Sequence, residues 1–207
     1  DGKPYDSWMH HSMRASKSTP YEESIHVPFV IRWPGATPAG SRSDAFMGAI
    51  DLVPSLLGAC GVPQPEGLQG RDLSAVWRGE SAPPDGESTP GGSDSVYLQN
   101  MANGWPNRHG WVGRWRAVRT DRWTYARWYG NERGPWLFDR QSDPLEMTNL
   151  ADNPDARPAL EEMEARLHRW MEATSDPFEY GQRGPRGFLE LGQLFADPEK
   201  WADWGTA

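Results

Sequence analysis

Hydrophobic positions follow one pattern in the first 80 residues of this chain and another after residue 94. In the first part the clearest feature is a nearly continuous apolar run over residues 27–33, ended by Pro34 and Gly35. Such a run is typical of a strand that is buried on both faces, as in a parallel sheet covered by helices. We therefore expect an α/β arrangement for residues 1–80.

Two short helices are predicted after this strand. Asp51 precedes an apolar stretch that ends at Gly61, which predicts a helix over residues 52–60 with Asp51 as its N-cap. Asp72 stands in the same relation to a second helix that runs to Trp77.

The pattern changes after residues 81–94, which are rich in Pro, Gly, Ser and acidic residues and are predicted to be a linker loop. Aromatic and β-branched residues then recur in short segments, as is typical of strands. Thr120 and Asp121 form a tight connection that indicates a hairpin between the second and third segments. Four strands are predicted, at residues 95–98, 115–118, 123–128 and 136–139.

A helix is predicted to follow the strands over residues 156–173, because apolar residues repeat there at helical spacing. The apolar positions are Leu160, Met163, Leu167, Trp170 and Met171, and the charged positions predicted to face away are Glu161, Glu162, Arg166 and Arg169. Such a helix buries its apolar stripe on one face of a sheet. Residues 95–174 are therefore expected to form a small α+β subdomain with a four-stranded antiparallel sheet and one packed helix, and residues 175–207 a tail of unassigned structure.

Composition excludes several classes of protein. The net charge of −8 and a pI near 5.1 argue against a nucleic-acid-binding protein. No apolar run approaches the roughly 20 residues that a membrane-spanning helix needs. Cys60 is the only cysteine, which excludes an internal disulfide and a multi-cysteine metal site, and its apolar neighbours predict a buried thiol. The irregular residues 1–8 lead directly into a motif-rich stretch, so we interpret residue 1 as a break in a longer chain.

Three stretches of the chain carry a further signal. They are Lys17 through Pro28 with Ile31-Arg32-Trp33-Pro34-Gly35; Ile50 through Leu57 with Gly61 and Gly70-Arg71-Asp72-Leu73; and Arg116 through Trp123 with Leu137-Phe138-Asp139, Asp143-Pro144 and Asn149-Leu150. In this order and spacing, they resemble the C-terminal half of the sulfatase family within the alkaline-phosphatase-like superfamily. The resemblance implies that residues 1–80 are the closing part of that superfamily's α/β sandwich.

The resemblance also implies a sulfuric ester hydrolase that cleaves a sulfate ester of a carbohydrate or aryl compound. Sulfatases use a formylglycine, made from a Cys/Ser-x-Pro-x-Arg motif, and a divalent cation, usually calcium, with oxygen-rich ligands. This chain lacks the motif, because Cys60 is followed by Pro63 one place too late and by no arginine. We therefore expect the nucleophile and the calcium ligands in a missing N-terminal part, no metal site here, and no hydrolysis by this chain alone.

The resemblance assigns roles to residues near the start of the chain. Lys17 matches the family's sulfate-contacting lysine, whose ammonium neutralises charge on the non-bridging oxygens in the transition state. His11, six residues earlier, stands near the place of a histidine that contacts the sulfate or protonates the leaving oxygen in many relatives. His10 is the adjacent alternative and is assigned to substrate binding. His26, before the apolar run, is expected to be structural.

A second group of candidates lies in residues 101–113. Trp105, Arg108 and His109 cluster there with two asparagines. Aromatic, cationic and amide groups together suit a sugar or aryl sulfate ester, through ring stacking and hydrogen bonds. We predict substrate contact by these three residues, with an ordinary exposed loop as the alternative.

Two other functions stay open. A phosphonate or phosphodiester hydrolase of the same superfamily is compatible with the chain, since sulfate and phosphate are near isosteres, and the type of nucleophile would decide between them. A non-catalytic carbohydrate-binding module is supported by the Trp-rich residues 105–136, but such a module has no reason to carry half of an enzyme core. Many bacterial relatives are exported, so we expect a periplasmic or extracellular location.

Overall fold

The computed structural model describes residues 19–80, 94–101, 114–128 and 134–178. The linker predicted at 81–94, apart from its last residue, and most of the tail at 175–207 therefore lie outside the described residues. None of the described helices is long and apolar enough to cross a bilayer.

A four-stranded antiparallel sheet forms the centre of the second part of the chain. Its strands are β1 (Ser95–Asn100), β2 (Trp115–Thr120), β3 (Trp123–Trp128) and β4 (Trp136–Asp139), paired in the order β1-β2-β3-β4. The four predicted strands are confirmed, and the first two run two residues further than the sequence pattern indicated. The hairpin between β2 and β3 is also confirmed, and the Thr120 hydroxyl closes it by accepting the Trp123 N–H at 2.9 Å.

One long helix covers one face of this sheet. A 3₁₀ turn (Pro154–Ala156), capped by the Asn153 side chain, leads into the helix at Arg157–Ala173. The buried core between helix and sheet consists of Val118, Tyr125, Leu137, Ala156, Met163, Leu167, Trp170, Met171 and Phe178. The predicted apolar stripe is thus confirmed. Arg166 differs from the prediction, because its side chain is only 12% exposed and pairs with Asp94 and Glu162.

The opposite face of the sheet carries a second apolar cluster, because side chains alternate between the two faces of a strand. Trp115, Ala117, Ala126 and Trp128 are buried there, with Leu98 and Trp136 partly buried beside them. Ile25 and Tyr21, from the first part of the chain, pack on this surface. The first part is therefore held to the sheet by residues 21–25.

The described residues 19–80 form short helices joined by loops. The elements are α1 (Glu22–Ile25), a 3₁₀ turn (Ala49–Asp51), α2 (Leu52–Ala59) and α3 (Ser74–Trp77). The long helix at Arg157–Ala173 is named α4. Two of these elements confirm the predicted helices after the apolar run.

The strand predicted at residues 27–33 is absent from this structure. These residues form no strand, and no other strand lies within the described residues 19–80 to pair with them. Val27 and Val30 are 73% and 89% exposed. A strand is buried only where neighbouring strands take up its N–H and C=O groups, so an apolar run without neighbours lies open to solvent.

Two local predictions, for Asp51 and Cys60, are wrong, and the one for Asp72 is confirmed only in part. The Asp51 carboxylate does not cap α2; it accepts the N–H groups of Gly48 at 2.8 Å and Arg71 at 2.7 Å. The Cys60 thiol is exposed instead of buried, because it lies at the end of a helix whose outer side nothing covers among the described residues. The helix α3 begins at Ser74 with Leu73 as its N-cap, one residue later than predicted, and the Asp72 side chain accepts the Ser74 N–H at 2.8 Å.

Gly70 lies so close to the backbone of Ile50 that no side chain fits. A Cβ atom at this position would lie 2.0 Å from the Ile50 carbonyl oxygen. We expect Gly70→Ala to lower the free energy of unfolding by about 1–3 kcal/mol, because backbone atoms must move to admit the methyl group. Urea denaturation measures the change. Gly134→Ala is the matched control, since a Cβ there meets nothing within 4 Å, and an equal effect at both positions would contradict the prediction.

Candidate functional site

The segment that follows Lys17 in sequence is anchored against the sheet. Thr19 and Tyr21 are 3% and 5% exposed. The Tyr21 ring lies 5.0 Å from that of Trp136 and 5.8 Å from that of Phe138, centroid to centroid. This aromatic contact fixes the start of α1 on the face of the sheet opposite the long helix.

Glu22 supplies the polar half of this anchor. Its carboxylate accepts two hydrogen bonds from Arg119 of β2, at 2.9 and 2.8 Å, and a third from Arg140 at 2.7 Å. The Nδ1 atom of His26 lies 2.9 Å from the same carboxylate. The side chains of Glu22, Arg119 and Arg140 are only 14–16% exposed, so little water competes for these bonds. Paired guanidinium bonds of this kind are strong and directional.

A second carboxyl group completes the arrangement. Glu146, which is 1% exposed, accepts the backbone N–H of Glu22 at 2.8 Å. Its φ of +50° is uncommon for a residue other than glycine. Together Glu22, His26, Arg119, Arg140 and Glu146 make up what we term the Glu22 cluster.

The pKa values of the two carboxyl groups in the Glu22 cluster shift in opposite directions. Burial raises the pKa of Glu22, but the hydrogen bond and charge of Arg119, with the charges of Arg140 and His26, outweigh it and hold the pKa below its usual value. Burial likewise raises the pKa of Glu146, and there the net shift is upward. The two arginines therefore favour the charged form of Glu22.

Arg119 connects the Glu22 cluster to the loop before α2. Its guanidinium carbon lies 5.2 Å from the centre of the Phe46 ring. The Phe46 carbonyl in turn accepts a bond from Arg71 at 2.6 Å, and Arg71 pairs with the buried Asp51 at 3.1 Å. One arginine of β2 thus contacts two separate segments of the first part, α1 and the loop before α2.

A second charged cluster lies on the helix side of the sheet. The buried Arg116 forms two bonds with Asp176, at 2.5 and 3.1 Å, and both side chains are at most 5% exposed. Tyr97 donates its hydroxyl to Asp176 at 2.8 Å, and the Phe178 ring lies 4.3 Å from the Arg116 guanidinium. Burial next to this carboxylate raises the pKa of Tyr97. This Arg116 cluster ties the start of the tail to β1 and β2.

The site residues predicted from sequence lie outside the described residues. They are Lys17, His11, His10, Trp105, Arg108 and His109. Described residues flank them in sequence: Thr19 follows Lys17 by two residues, and Met101 and Arg114 stand on either side of the stretch 102–113 that contains Trp105, Arg108 and His109. His26 is described, and its contact with Glu22 in an exposed position agrees with the structural role expected of it.

The clusters themselves were not predicted as sites. The Tyr21-Glu22 pair was part of the resemblance, but its partners Arg119 and Arg140 lie 97 and 118 residues away in sequence. No local spacing signals a contact over such a distance. Among the described residues, no group of three or more His, Cys, Asp or Glu side chains is arranged to hold a metal ion.

Comparison with known proteins covers most of the chain. Residues 14–173 match a family model described as "N-sulphoglucosamine sulphohydrolase, C-terminal". An ulvan-active sulfatase of Formosa agariphila is 32% identical over 164 residues, which cover 78% of this chain and 30% of that protein. An endo-4-O-sulfatase of Bacteroides thetaiotaomicron is 27% identical, with 78% of this chain and 32% of that protein covered.

A solved structure shows the same arrangement of elements. It is a protein in complex with its substrate D-glucosamine-2-N,6-O-disulfate, with a TM-score of 0.68 and 27% sequence identity. The match covers 78% of this chain and 31% of that one. The chain thus spans about a third of the length of the proteins it matches.

Proposed function

This chain belongs to the sulfatase family, of which it is a C-terminal portion, and we propose that it is part of an enzyme that hydrolyses a sulfate ester. The family match over residues 14–173 is the observation that carries the proposal. A stand-alone carbohydrate-binding module would have no reason to share this region with sulfatases. The proposal concerns the whole protein, of which the chain spans a part.

The substrate we propose is a sulfated carbohydrate. The names of similar proteins support this choice: an ulvan-active sulfatase, an endo-4-O-sulfatase and an N-acetylglucosamine-6-O-sulfatase. The solved structure with a disulfated glucosamine supports it as well. Trp105, Arg108 and His109 are the residues of this chain that we assign to the sugar, through ring stacking and hydrogen bonds.

Residues 1–80 are proposed to complete an alkaline-phosphatase-like α/β sandwich together with the rest of the enzyme. The support is the apolar surface that the described residues of this part leave open. Nine of its large apolar side chains share this exposure: Val27, Phe29, Val30, Ile50, Leu52, Val53, Leu56, Val62 and Leu68. Soluble proteins rarely leave a set of this size uncovered, so a further layer of protein is expected over it.

The nucleophile and the metal are assigned to the rest of the enzyme. The described residues hold no group that fits a calcium ion, and the sequence holds no formylglycine motif. The formylglycine and the divalent cation would supply the attacking group and a positive charge at the ester. This chain contributes the positive charge of Lys17 on the sulfate oxygens and the imidazole of His11, or of the adjacent His10, as the proton donor to the leaving oxygen.

Replacement of Lys17 by alanine tests the proposal. In the full-length enzyme we expect Lys17→Ala to lower kcat about 10²–10³-fold, the usual effect of removing one group that stabilises transition-state charge. The measurement is the release of inorganic sulfate from a sulfated monosaccharide. Lys200→Ala, in the tail outside the resemblance, is the control and should keep wild-type kcat.

Two results would count against this assignment. An unchanged kcat in the Lys17→Ala variant would remove Lys17 from the site. A wild-type enzyme that hydrolyses the phosphate monoester of the same sugar but not the sulfate ester would replace the sulfatase with a phosphoryl hydrolase.

A further inference from the structure

We propose that Glu22 and Glu146 act as a carboxyl pair in which Glu146 takes up a proton as the solution becomes mildly acidic, while Glu22 stays charged. The charged Glu22 remains bound to Arg119 and Arg140, so the contact between α1 and the sheet withstands acid. The inference does not depend on the proposed function, because it concerns only how two parts of the chain hold together.

The two carboxyl groups belong to different parts of the chain and meet at one residue. Glu146 lies in the turn after β4, is 1% exposed and accepts the backbone N–H of Glu22 at 2.8 Å. Its φ of +50° is the backbone conformation in which its carboxyl group reaches α1. Two carboxylates held close together with little water between them disfavour each other's charge, so a proton binds to one of them more readily than to an isolated glutamate.

The charges around the pair decide which group takes the proton. Three guanidinium bonds end on Glu22, two from Arg119 in β2 and one from Arg140 just after β4. His26, at the end of α1, places its Nδ1 atom 2.9 Å from the same carboxylate. Neutralising Glu22 would leave the positive charges of both arginines without their shared acceptor, so its charged form is the one the cluster favours.

Glu146 has the opposite balance. Burial raises its pKa, and the charge of Glu22 adds to this shift. The Thr124 hydroxyl of β3, the Glu22 N–H and the charge of Arg140 lower the pKa of Glu146, but by less than burial raises it. Protonated Glu146 still carries an oxygen that accepts the Glu22 N–H, so uptake of the proton leaves this backbone contact in place.

The two shifts have opposite effects on stability. Because the pKa of Glu22 is lowered by folding, its contribution is complete above the unfolded-state pKa of about 4.3 and is lost only as the pH falls through the folded-state pKa. Because the pKa of Glu146 is raised by folding, stability increases as the pH falls from its folded-state pKa towards about 4.3. The pair therefore contributes most near about pH 4.3 and less at neutral pH.

Glu146→Gln in the full-length protein tests the inference. The amide keeps an oxygen for the Glu22 N–H and cannot become charged, so it mimics the protonated carboxyl group at every pH. The readout is hydrogen exchange of the α1 amides, corrected for the effect of pH on the intrinsic exchange rate. We expect stronger protection in the variant than in wild type at about pH 7.5, and equal protection at about pH 4.3.

The matched control is Glu161→Gln. Glu161 is 65% exposed and pairs with Arg157 in solvent, so its replacement should leave the protection of α1 at the wild-type level at both pH values.

Infrared spectroscopy detects the proton itself. At about pH 5.5 exposed glutamates are almost all charged. We expect wild type to show a protonated carboxyl band there that Glu146→Gln lacks. In Glu22→Gln the neighbouring negative charge is gone and the arginines lose their acceptor, so the same band should appear only at lower pH. This comparison of wild type with Glu22→Gln also tests the pair if Glu146→Gln does not fold.

Each outcome decides the proposal. Stronger protection of α1 in Glu146→Gln at neutral pH, together with a band that moves to lower pH in Glu22→Gln, would establish the pair. Equal protection in wild type and Glu146→Gln at both pH values would overturn it. A carboxyl band that keeps the same pH dependence in Glu22→Gln would also overturn it, because Glu146 would then bind its proton independently of Glu22.

Discussion

Asp176→Ala should lower the free energy of unfolding by about 3–5 kcal/mol, the cost of leaving one member of a buried ion pair without its partner. The Arg116 side chain is 4% exposed, so its charge cannot turn to water when the carboxylate is removed. The substitution also deprives the Tyr97 hydroxyl and Gln99 amide of their acceptor. Chemical denaturation followed by tryptophan fluorescence measures the change.

The control for this variant is Glu161→Ala, which removes a carboxylate paired with an arginine in solvent. Glu161 and Arg157 are 65% and 75% exposed, and an exposed pair of this kind contributes about 0–1 kcal/mol. Similar losses for the two variants would show that the Arg116 cluster is open to water.

The pH dependence of the free energy of unfolding gives a further test of the contribution of Asp176 to stability. Burial raises its pKa, but the hydrogen bonds from Arg116 and Tyr97 outweigh this and hold the pKa below its usual value. A lowered pKa in the folded state means that the carboxylate stabilises the protein above its unfolded-state pKa, and that this contribution is lost as the pH falls through the folded-state pKa. The difference between wild type and Asp176→Ala should therefore shrink in acid below about pH 4.

Leu167→Ala should lower the free energy of unfolding by about 2–5 kcal/mol through the cavity it leaves. Leu167 is 0% exposed and lies in the core between the long helix and the sheet. Alanine is a good helix former, so the loss reports packing and not helix propensity. Urea denaturation gives the value.

Leu145→Ala is the matched control for the core substitution. Leu145 is 62% exposed, and surface substitutions usually change stability by about 0.5 kcal/mol or less. A loss at Leu167 as small as that at Leu145 would mean that the helix does not pack on the sheet as described.

The local sequence pattern was sufficient to predict the strands and the long helix in the second part of the chain. The four strands, the β2–β3 hairpin and the long helix all follow from residues close in sequence, because a meander pairs each strand with the next one along the chain. The apolar stripe of the helix likewise identified Met163, Leu167 and Trp170 as core residues. Their partners on the sheet are the inward-facing residues of strands that the pattern had already located.

The same reasoning failed where a residue's environment depends on distant parts of the chain. The apolar run at 27–33 reads as a buried strand, yet the described residues offer it no neighbouring strand. The sequence predicted Asp51 as a helix cap, yet its carboxylate binds Arg71, which lies 20 residues away. The helical pattern predicted that Arg166 faces solvent, yet it pairs with Asp94, the residue directly before β1.

The sequence by itself determined the α+β subdomain, the family to which the chain is similar, and Lys17 as a candidate for the sulfate. Short-range periodicity and motif spacing carry that information, because they depend on neighbours within a few residues. Only the tertiary structure decided that Glu22 is held by Arg119 and Arg140 and that Asp176 is held by Arg116. Ion pairs between residues 60 to 118 positions apart form because folding brings the elements together, and no local pattern encodes which charge will meet which.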